Sequence, residues 1–385
     1  MKRGNHTSYR FCFNKVFFSS PRQRSRPTYN EQLTMAKSRS SKSKSKSSRR
    51  STREKSLLNS TGSFSTNPHA SSTSKTAGVD LLAEASTQLH ERSSASAALP
   101  LITAHLSIHP NSPPALDLLG EIHIELGDTS AAFSAFSKSA SLDPDGNPEP
   151  AGSGPEKFLW LAQLSSADAA VSYYEQGITI IKRWLAAATT NTTTTPPPAD
   201  RGLESKLVSA LCGLAEIYMS DLCMEPDAES RCEKYVTEAL LTLPESAEAL
   251  QTLASMRISQ QRLDDAVAAL KRAFESWKGL ESGDARIPPY ANRVNLSKLL
   301  IETAQYETAL EVLEVLQMED DQLPDLWYLG GWCLFLLGEG EKEKGGEWEE
   351  SWESAKEWLG NCLTVGPLTD STVLVVLVRW WTNMR

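Results

Sequence analysis

Residues 113–144 read PPALDLLGEIHIELGDTSAAFSAFSKSASLDP, and this stretch decides the fold of the chain. Its apolar residues recur at spacings of three and four, as they do on one face of an α-helix. The small residues Gly120 and Ala132 lie where two helices would cross, and Phe136 is large enough to fill the space beside the crossing. Pro144 cannot continue a helix. The stretch therefore predicts two antiparallel helices joined by a short turn.

The same pattern recurs with a period of 34 residues. The period relates Leu82 to Leu116, Ala98 to Ala132, Ile102 to Phe136, and Pro110 to Pro144. Its length and its order of large, small, aromatic and proline positions resemble the tetratricopeptide repeat, whose unit is a pair of helices. The predicted fold class is therefore all-α, a tetratricopeptide-repeat superhelical solenoid of about seven units over residues 79–362.

Charge divides the chain into a basic tail and an acidic body. Residues 1–78 hold 17 Lys and Arg but only two acids, Glu31 and Glu54, and the remainder has a net charge of −24. The tail is rich in Ser, Lys and Arg and cannot bury enough apolar surface to offset its ordering entropy, so we expect it to be disordered. The positive charge of the tail is suited to binding a polyanion or a nuclear import receptor. The acidic body favours cationic partners and disfavours direct nucleic-acid binding.

Three other segments depart from the repeat pattern. Residues 188–200 are low in complexity and predict a flexible loop, and residues 339–350 form an acidic insert in the last unit. The Arg-rich residues 1–34 fit either a mitochondrial transit peptide or sequence that precedes a true start at Met35. The stretch FCFNKVFF has no clear amphipathic stripe, which favours the start at Met35.

Signatures of catalysis are absent from the sequence, which has no GxxxxGK[ST], GxGxxG, HExxH or GxSxG motif. The six cysteines lack the paired spacing of structural zinc sites and fit a reducing compartment. His105 and His109 lie four residues apart, but no third metal ligand is evident. No apolar run reaches the roughly 18 residues of a membrane helix. We expect a protein that is not an enzyme and has no cofactor, metal, small-molecule substrate or membrane partner.

The first helix of each repeat unit projects side chains into the concave groove of such a solenoid. The acidic residues that this rule places in the groove are Asp117, Glu121, Glu125, Glu156, Glu216, Glu248 and Asp325, together with Asp80 and Glu91 in the first unit, and Lys298 is the one clear base. The first three step by four residues along one helix and predict an acidic stripe for a basic peptide. The alternative is that an acidic body simply carries acids on every solvated face.

Aromatic residues join the acids in the last unit. Tyr328, Trp332 and Phe335 fall on the predicted inner face, where they could hold the cationic or apolar side chains of a peptide. They could equally fill the end of the solenoid. Both interpretations stay open.

Four blocks of sequence resemble one particular family of tetratricopeptide-repeat proteins. PEKFLWLAQLS, ALCGLAEIYMSDLCMEPDAESRCE, ALQTLASMRISQQRLDDA and LPDLWYLGGWCLFLLGE resemble the fungal dedicated assembly chaperones of large-subunit ribosomal protein four. The resemblance implies a chaperone that binds the basic internal loop of the new ribosomal protein, keeps it soluble and escorts it from the cytoplasm to the nucleus for 60S assembly. Residues 363–385 are apolar where this family has a charged end, and we interpret them as atypical.

Other classes of repeat protein remain as alternatives. A heat-shock co-chaperone would need inward-facing Lys, Arg and Asn to clamp a carboxylate, but the predicted groove offers acids. A scaffold in RNA processing would bind RNA through the basic tail. A mitochondrial enzyme would need a catalytic site, of which the sequence shows no trace.

Overall fold

The computed structural model describes residues 73–148, 152–190, 202–281, 283–284 and 286–365. The described residues form helices joined by turns and contain no strand, which confirms the predicted all-α class. The fourteen helices within these ranges are α1 (Thr73–His90), α2 (Ala95–Ile108), α3 (Pro113–Glu125), α4 (Thr129–Leu142), α5 (Glu156–Gln163), α6 (Ala167–Thr190), α7 (Leu203–Met219), α8 (Ala228–Thr242), α9 (Ala247–Ser259), α10 (Leu263–Glu275), α11 (Tyr290–Glu302), α12 (Tyr306–Glu319), α13 (Pro324–Glu343) and α14 (Glu349–Val365).

The described chain divides into two compact bodies, with the boundary between Leu164 and Ser165. The first body contains α1 to α5 and the second contains α6 to α14. Consecutive helices pack in pairs, α1 with α2 and α3 with α4 in the first body, and α7 with α8 through α13 with α14 in the second. Helices α5 and α6, which follow one another in sequence, belong to different bodies.

The pair α3 and α4 shows why small residues recur in the sequence pattern. A Cβ atom on Gly120 would lie 2.5 Å from the ring of Phe136, so the ring occupies the space that a side chain at Gly120 would need. Phe136 and Ala132 are fully buried, and the ring of Trp160 stacks on Phe136 with centroids 6.0 Å apart. The predicted helix crossing is confirmed. Asp128 caps α4, since its Oδ1 accepts a hydrogen bond from the Ala131 amide at 2.9 Å.

The second body repeats this packing with other residues. Ala254, Ala266 and Leu270 are all fully buried where α9 meets α10. In the last pair a Cβ on Gly331 would lie 2.5 Å from Leu359, so α13 and α14 also approach closely at a glycine. One physical rule, a small residue opposite a large one, therefore sets the helix pairs of both bodies.

Several predicted boundaries shift in the structure. Helix α1 begins at Thr73, inside the predicted tail, and α6 continues to Thr190, inside the predicted loop 188–200. The first five residues of the acidic insert continue α13 to Glu343, because Glu and Lys are good helix formers. The remaining predictions for residues 1–72, 191–200 and 366–385 concern parts of the chain outside the described ranges. None of the described helices combines the length and apolar character needed to cross a bilayer.

The connection between α4 and α5 is held by a buried ion pair. The Lys157 ammonium donates to Asp143 Oδ2 at 2.6 Å and to Ser153 Oγ at 3.1 Å, and neither charged side chain is more than 1% exposed. Asp143 also accepts from the Asn147 backbone amide at 2.9 Å. Burial alone would raise the pKa of Asp143, but the hydrogen bonds from Asn147 and Lys157 hold it below its ordinary value.

The crossing at Gly120 yields a stability prediction. Gly120→Ala places a methyl group against the Phe136 ring and is expected to lower the free energy of unfolding by about 1–3 kcal/mol. Gly360→Ala is the matched control, because it lies within α14 and its Cβ would meet no atom within 4 Å. The control is expected to raise the free energy of unfolding by up to about 1 kcal/mol. Urea titration followed by circular dichroism measures both changes, and a Gly120→Ala variant as stable as the wild type would contradict the packing account.

Candidate partner-binding surface

The first helices of successive units in the second body lie side by side. Helix α7 contacts α9, α9 contacts α11, and α11 contacts α13. We call the face that these four helices share the inner surface. Its side chains come from residues far apart in sequence but equivalent in the repeat, as the groove prediction assumed.

Two of the predicted acids come together on this surface. Glu216 lies on α7 and Glu248 on α9, close enough for the charge of Glu248 to raise the pKa of Glu216. Glu248 Oε2 accepts a 2.6 Å hydrogen bond from Ser209 Oγ on α7. Ser209 and Glu248 are 39 residues apart, which is the 34-residue period plus the five extra residues between α7 and α8. The repeat register therefore places the Glu248 carboxylate against α7.

The electrostatics of this pair differ from those of acids on an open surface. Burial in the inner surface and the neighbouring Glu248 charge raise the pKa of Glu216, and burial raises that of Glu248 against the lowering effect of the Ser209 hydroxyl. The Glu216 residue is nevertheless exposed, so solvent screens its carboxylate and the shift is smaller than full burial would cause. Neither carboxylate forms an ion pair with a basic side chain of the described residues. The pair is therefore an uncompensated site of negative charge.

The floor beneath the pair is largely apolar. Tyr174 from α6 packs against α7 so closely that a Cβ on Gly213 would lie 2.6 Å from its hydroxyl oxygen. Cys212 is 1% exposed, and burial raises the pKa of its thiol above the ordinary range. Such a floor lowers the local dielectric, so a cation bound to Glu216 and Glu248 would be held more strongly than in water. The sequence analysis did not single out Tyr174, because it considered only acidic residues and the aromatic residues of the last unit.

A pair of amide side chains continues the inner surface beyond Glu248. Asn295 Nδ2 on α11 donates to Gln251 Oε1 on α9 at 3.2 Å. Gln251 is buried, and its Nε2 group has no hydrogen-bond partner. Sequence reasoning missed both residues because it searched the inner face for charge. The two units are offset by 43 residues and these two residues are 44 apart, so they occupy neighbouring positions of the repeat, and that proximity is the signal that could have found them.

The predicted stripe in the first body does not stay together as one exposed row. Asp117 is buried, and Glu121 is half-buried with a carboxylate oxygen 3.1 Å from the His90 ring. Glu125 is exposed near the end of α3, and Glu156 is half-buried at the start of α5. The four acids therefore occupy different environments. Their role in binding a partner stays a prediction.

The residues predicted in the last unit lie on α13. Asp325 is exposed, whereas Tyr328, Trp332 and Phe335 are half-buried. The ring of Phe335 lies 5.6 Å from those of both Trp332 and Trp352, between centroids, so these aromatics pack α13 against α14. Gly338 makes room for Trp352, whose Cδ1 would lie 2.4 Å from a Cβ at that position. These contacts favour the interpretation in which the aromatics close the last helix pair.

The raised pKa values predict that acid stabilises the second body locally. A carboxyl whose pKa is higher in the folded than in the unfolded chain binds more protons when folded, so stability falls as pH rises. For Glu216 this window runs from its ordinary pKa of 4.5 up to about 7. Glu216→Gln should therefore gain stability relative to the wild type across this window, by less than about 1 kcal/mol because solvent reaches the carboxylate.

Thermal unfolding at pH 4.5, 6 and 7.5 measures this effect. The matched control is Glu314→Gln, which removes an exposed carboxylate from the second helix of its pair. A difference between Glu216→Gln and the wild type that is the same at all three pH values would contradict the assigned environment of Glu216.

Comparison with known proteins places the chain in a family. The tetratricopeptide repeat family model matches residues 113–145, the stretch that predicted the fold. The chain is 40% identical over 339 residues to a protein of Emericella nidulans named "Probable assembly chaperone of rpl4", covering 83% of this chain and 82% of that protein. A Schizosaccharomyces pombe protein of the same name is 40% identical over 238 residues, covering 61% of this chain and 67% of that protein.

A solved structure agrees with these relatives. Residues 1–338 of an assembly chaperone of RpL4, Acl4, match with a TM-score of 0.63 and 39% identity, covering 70% of this chain and 99% of that structure. The relatives are chaperones rather than enzymes. At this identity and coverage, the chain belongs to the family of rpl4 assembly chaperones, which are built from tetratricopeptide repeats.

Proposed function

We propose that the chain is a dedicated chaperone that binds newly made rpl4, the large-subunit ribosomal protein four, through its basic internal loop. The observation that carries this proposal is the pair Glu216 and Glu248, two neighbouring carboxylates that lack a cation on the inner surface. The names of the relatives supply the identity of the partner. The structure supplies a surface whose charge is complementary to a basic segment.

Physical chemistry explains how such a surface would protect a ribosomal protein. A free basic loop attracts RNA backbones and other polyanions, because each Lys or Arg releases counterions from them on binding. Carboxylates of the inner surface neutralise those same cations through charge-assisted hydrogen bonds. The loop is thereby kept soluble and away from unintended RNA until its ribosomal site replaces the chaperone. The inner surface offers acids where a co-chaperone clamp would need Lys and Arg, which favours this proposal over a heat-shock co-chaperone.

The basic tail suggests that the chain also takes part in nuclear transport. Residues 1–78 combine high positive charge with few apolar residues, a composition suited to a nuclear import receptor. We propose that the chaperone works in both cytoplasm and nucleus and escorts the ribosomal protein to the site of 60S assembly. Fluorescent fusions of the full chain and of a chain lacking residues 1–72 test this step. Nuclear signal that persists unchanged without the tail would contradict the role of the tail and leave the binding proposal intact.

Calorimetric titration of the full chain with a peptide of the rpl4 internal loop tests the binding step. We expect Glu216→Lys/Glu248→Lys to weaken binding by at least about 10-fold, because it places two cations where the peptide brings its own. The matched control is Glu225→Lys/Glu314→Lys, which makes the same change of net charge at exposed positions outside the inner surface. Binding of the wild type should also weaken steeply between low and physiological salt.

Three outcomes can be distinguished. Loss confined to the inner-surface variant supports both the partner and the surface. Equal loss in both variants would mean that net charge, and not the inner surface, governs binding. Absence of binding by the wild type would overturn the proposal that the internal loop is the ligand.

A further inference from the structure

The second helices of the first body differ in charge from the rest of the chain. The chain after residue 78 is strongly acidic, yet α2 and α4 contain neither Asp nor Glu. Lys138 is the one Lys or Arg of these two helices, and α2 adds His105. The acids of the first body lie instead on α1, α3 and α5 and in the connections between helices. The side formed by α2 and α4 is therefore neutral to basic.

A pocket lies on this side, where the second helix pair meets the first. Its volume is about 340 Å³, and its lining includes Leu106 of α2, Leu116 and Leu119 of α3, and Ala135 and Lys138 of α4. Leu116 and Ala135 are buried and form an apolar floor, whereas Lys138 is exposed at the rim. We call this site the outer pocket. It has the size and the mainly apolar lining of a site for a bulky side chain.

Lys138 places a positive charge at the rim of the outer pocket. Its Nζ donates to the carbonyl of Pro110, just beyond the end of α2, at 2.7 Å. This hydrogen bond holds the ammonium beside the pocket and uses one of its three donor hydrogens. Lys138 forms no ion pair with an acid of the described residues. Its remaining donors are available to the carboxylate of a partner.

Exposed apolar side chains adjoin the outer pocket. Ile108 ends α2 two residues before Pro110 and is 43% exposed, and Leu142 ends α4 one turn beyond Lys138 and is 41% exposed. The two residues are 34 apart, so they occupy the same position of the repeat. Scattered exposed apolar residues are common, but apolar side chains beside a pocket are typical of an interaction surface.

We propose that the outer pocket binds an acidic peptide segment of a protein partner, with a bulky apolar side chain in the pocket and a neighbouring carboxylate on Lys138. Burial of the apolar side chain supplies most of the affinity. The charge of Lys138 selects acidic segments over basic ones. A free inorganic anion fits less well, because a single Lys beside an apolar floor offers it few donors.

The inference goes beyond the proposed function. The outer pocket lies in the first body and prefers negative charge, whereas the inner surface lies in the second body and carries acids. A basic segment such as the rpl4 internal loop is repelled by Lys138 and is therefore not the ligand of the outer pocket. The chain would thus have two binding sites of opposite charge preference.

Fluorescence polarisation of the full chain with labelled synthetic peptides tests the proposal. The first peptide has a central Leu-Phe pair between two runs of Asp. The second replaces Leu-Phe with Ala-Ala, and the third replaces the runs of Asp with runs of Lys. We expect the first peptide to bind the wild type at least about 10-fold more tightly than the second, because only the first has a side chain that fills the pocket.

Two variants locate the site of binding. Ser134→Trp fills the pocket from its exposed rim, and Lys138→Glu reverses the charge there. Each should weaken binding of the first peptide by at least about 10-fold, and neither should weaken binding of the third. The matched control is Lys271→Glu, which reverses an exposed charge on a second helix of the second body and should bind the first peptide as the wild type does. If circular dichroism shows that Ser134→Trp is unfolded, Lys138→Glu decides the test.

The other outcomes would each overturn the proposal. Binding of the first peptide that is unchanged in both variants would place it elsewhere, and equal binding of the Ala-Ala peptide would assign it to the basic tail. Absence of binding by the wild type would show that the pocket does not take such a segment. Light scattering that finds an oligomeric wild type and a monomeric Lys138→Glu would show that a second copy covers the pocket. None of these results bears on the proposed binding of rpl4.

Discussion

Close packing between the two helices of each repeat unit is the constraint on which the rest of this structure depends. The Phe136 ring packs directly against Gly120, and this contact fixes the orientation of α3 relative to α4. In the last pair Leu359 packs against Gly331 and fixes α13 relative to α14 in the same way. Each helix pair must then bury its remaining apolar face against the next pair. In the second body this stacking brings the first helices together and so creates the inner surface.

The repeat determines which charged side chains meet on the inner surface. Ser209 and Glu248 occupy equivalent positions in successive units, and their hydrogen bond holds the Glu248 carboxylate beside Glu216. Like charges held together above an apolar floor destabilise the free protein, and a protein keeps such an arrangement where a ligand of opposite charge relieves it. This arrangement is what we propose the chain uses to bind rpl4.

The fold could be read largely from the sequence, and the site only in part. The period of 34 residues predicted the helix pairs, because a small residue must face a large one wherever two helices cross, whatever residues surround them. The same register placed Glu216 and Glu248 on one face. Burial could not be read in this way, since Asp117 and Glu125 share a face of α3 but differ in what covers them. The cover comes from α4, α5 and the connection between them, and the repeat consensus does not specify that connection.

Zero-length cross-linking of the full chain to rpl4 tests the central claim most directly. A carbodiimide joins a carboxylate to a lysine only when the two are in direct contact, and mass spectrometry then identifies both residues. The account predicts that lysines of the rpl4 internal loop are joined to Glu216 and Glu248 of the inner surface. Cross-links confined to acids on the second helices, such as the exposed Glu314, would place the partner on the opposite face and contradict the account.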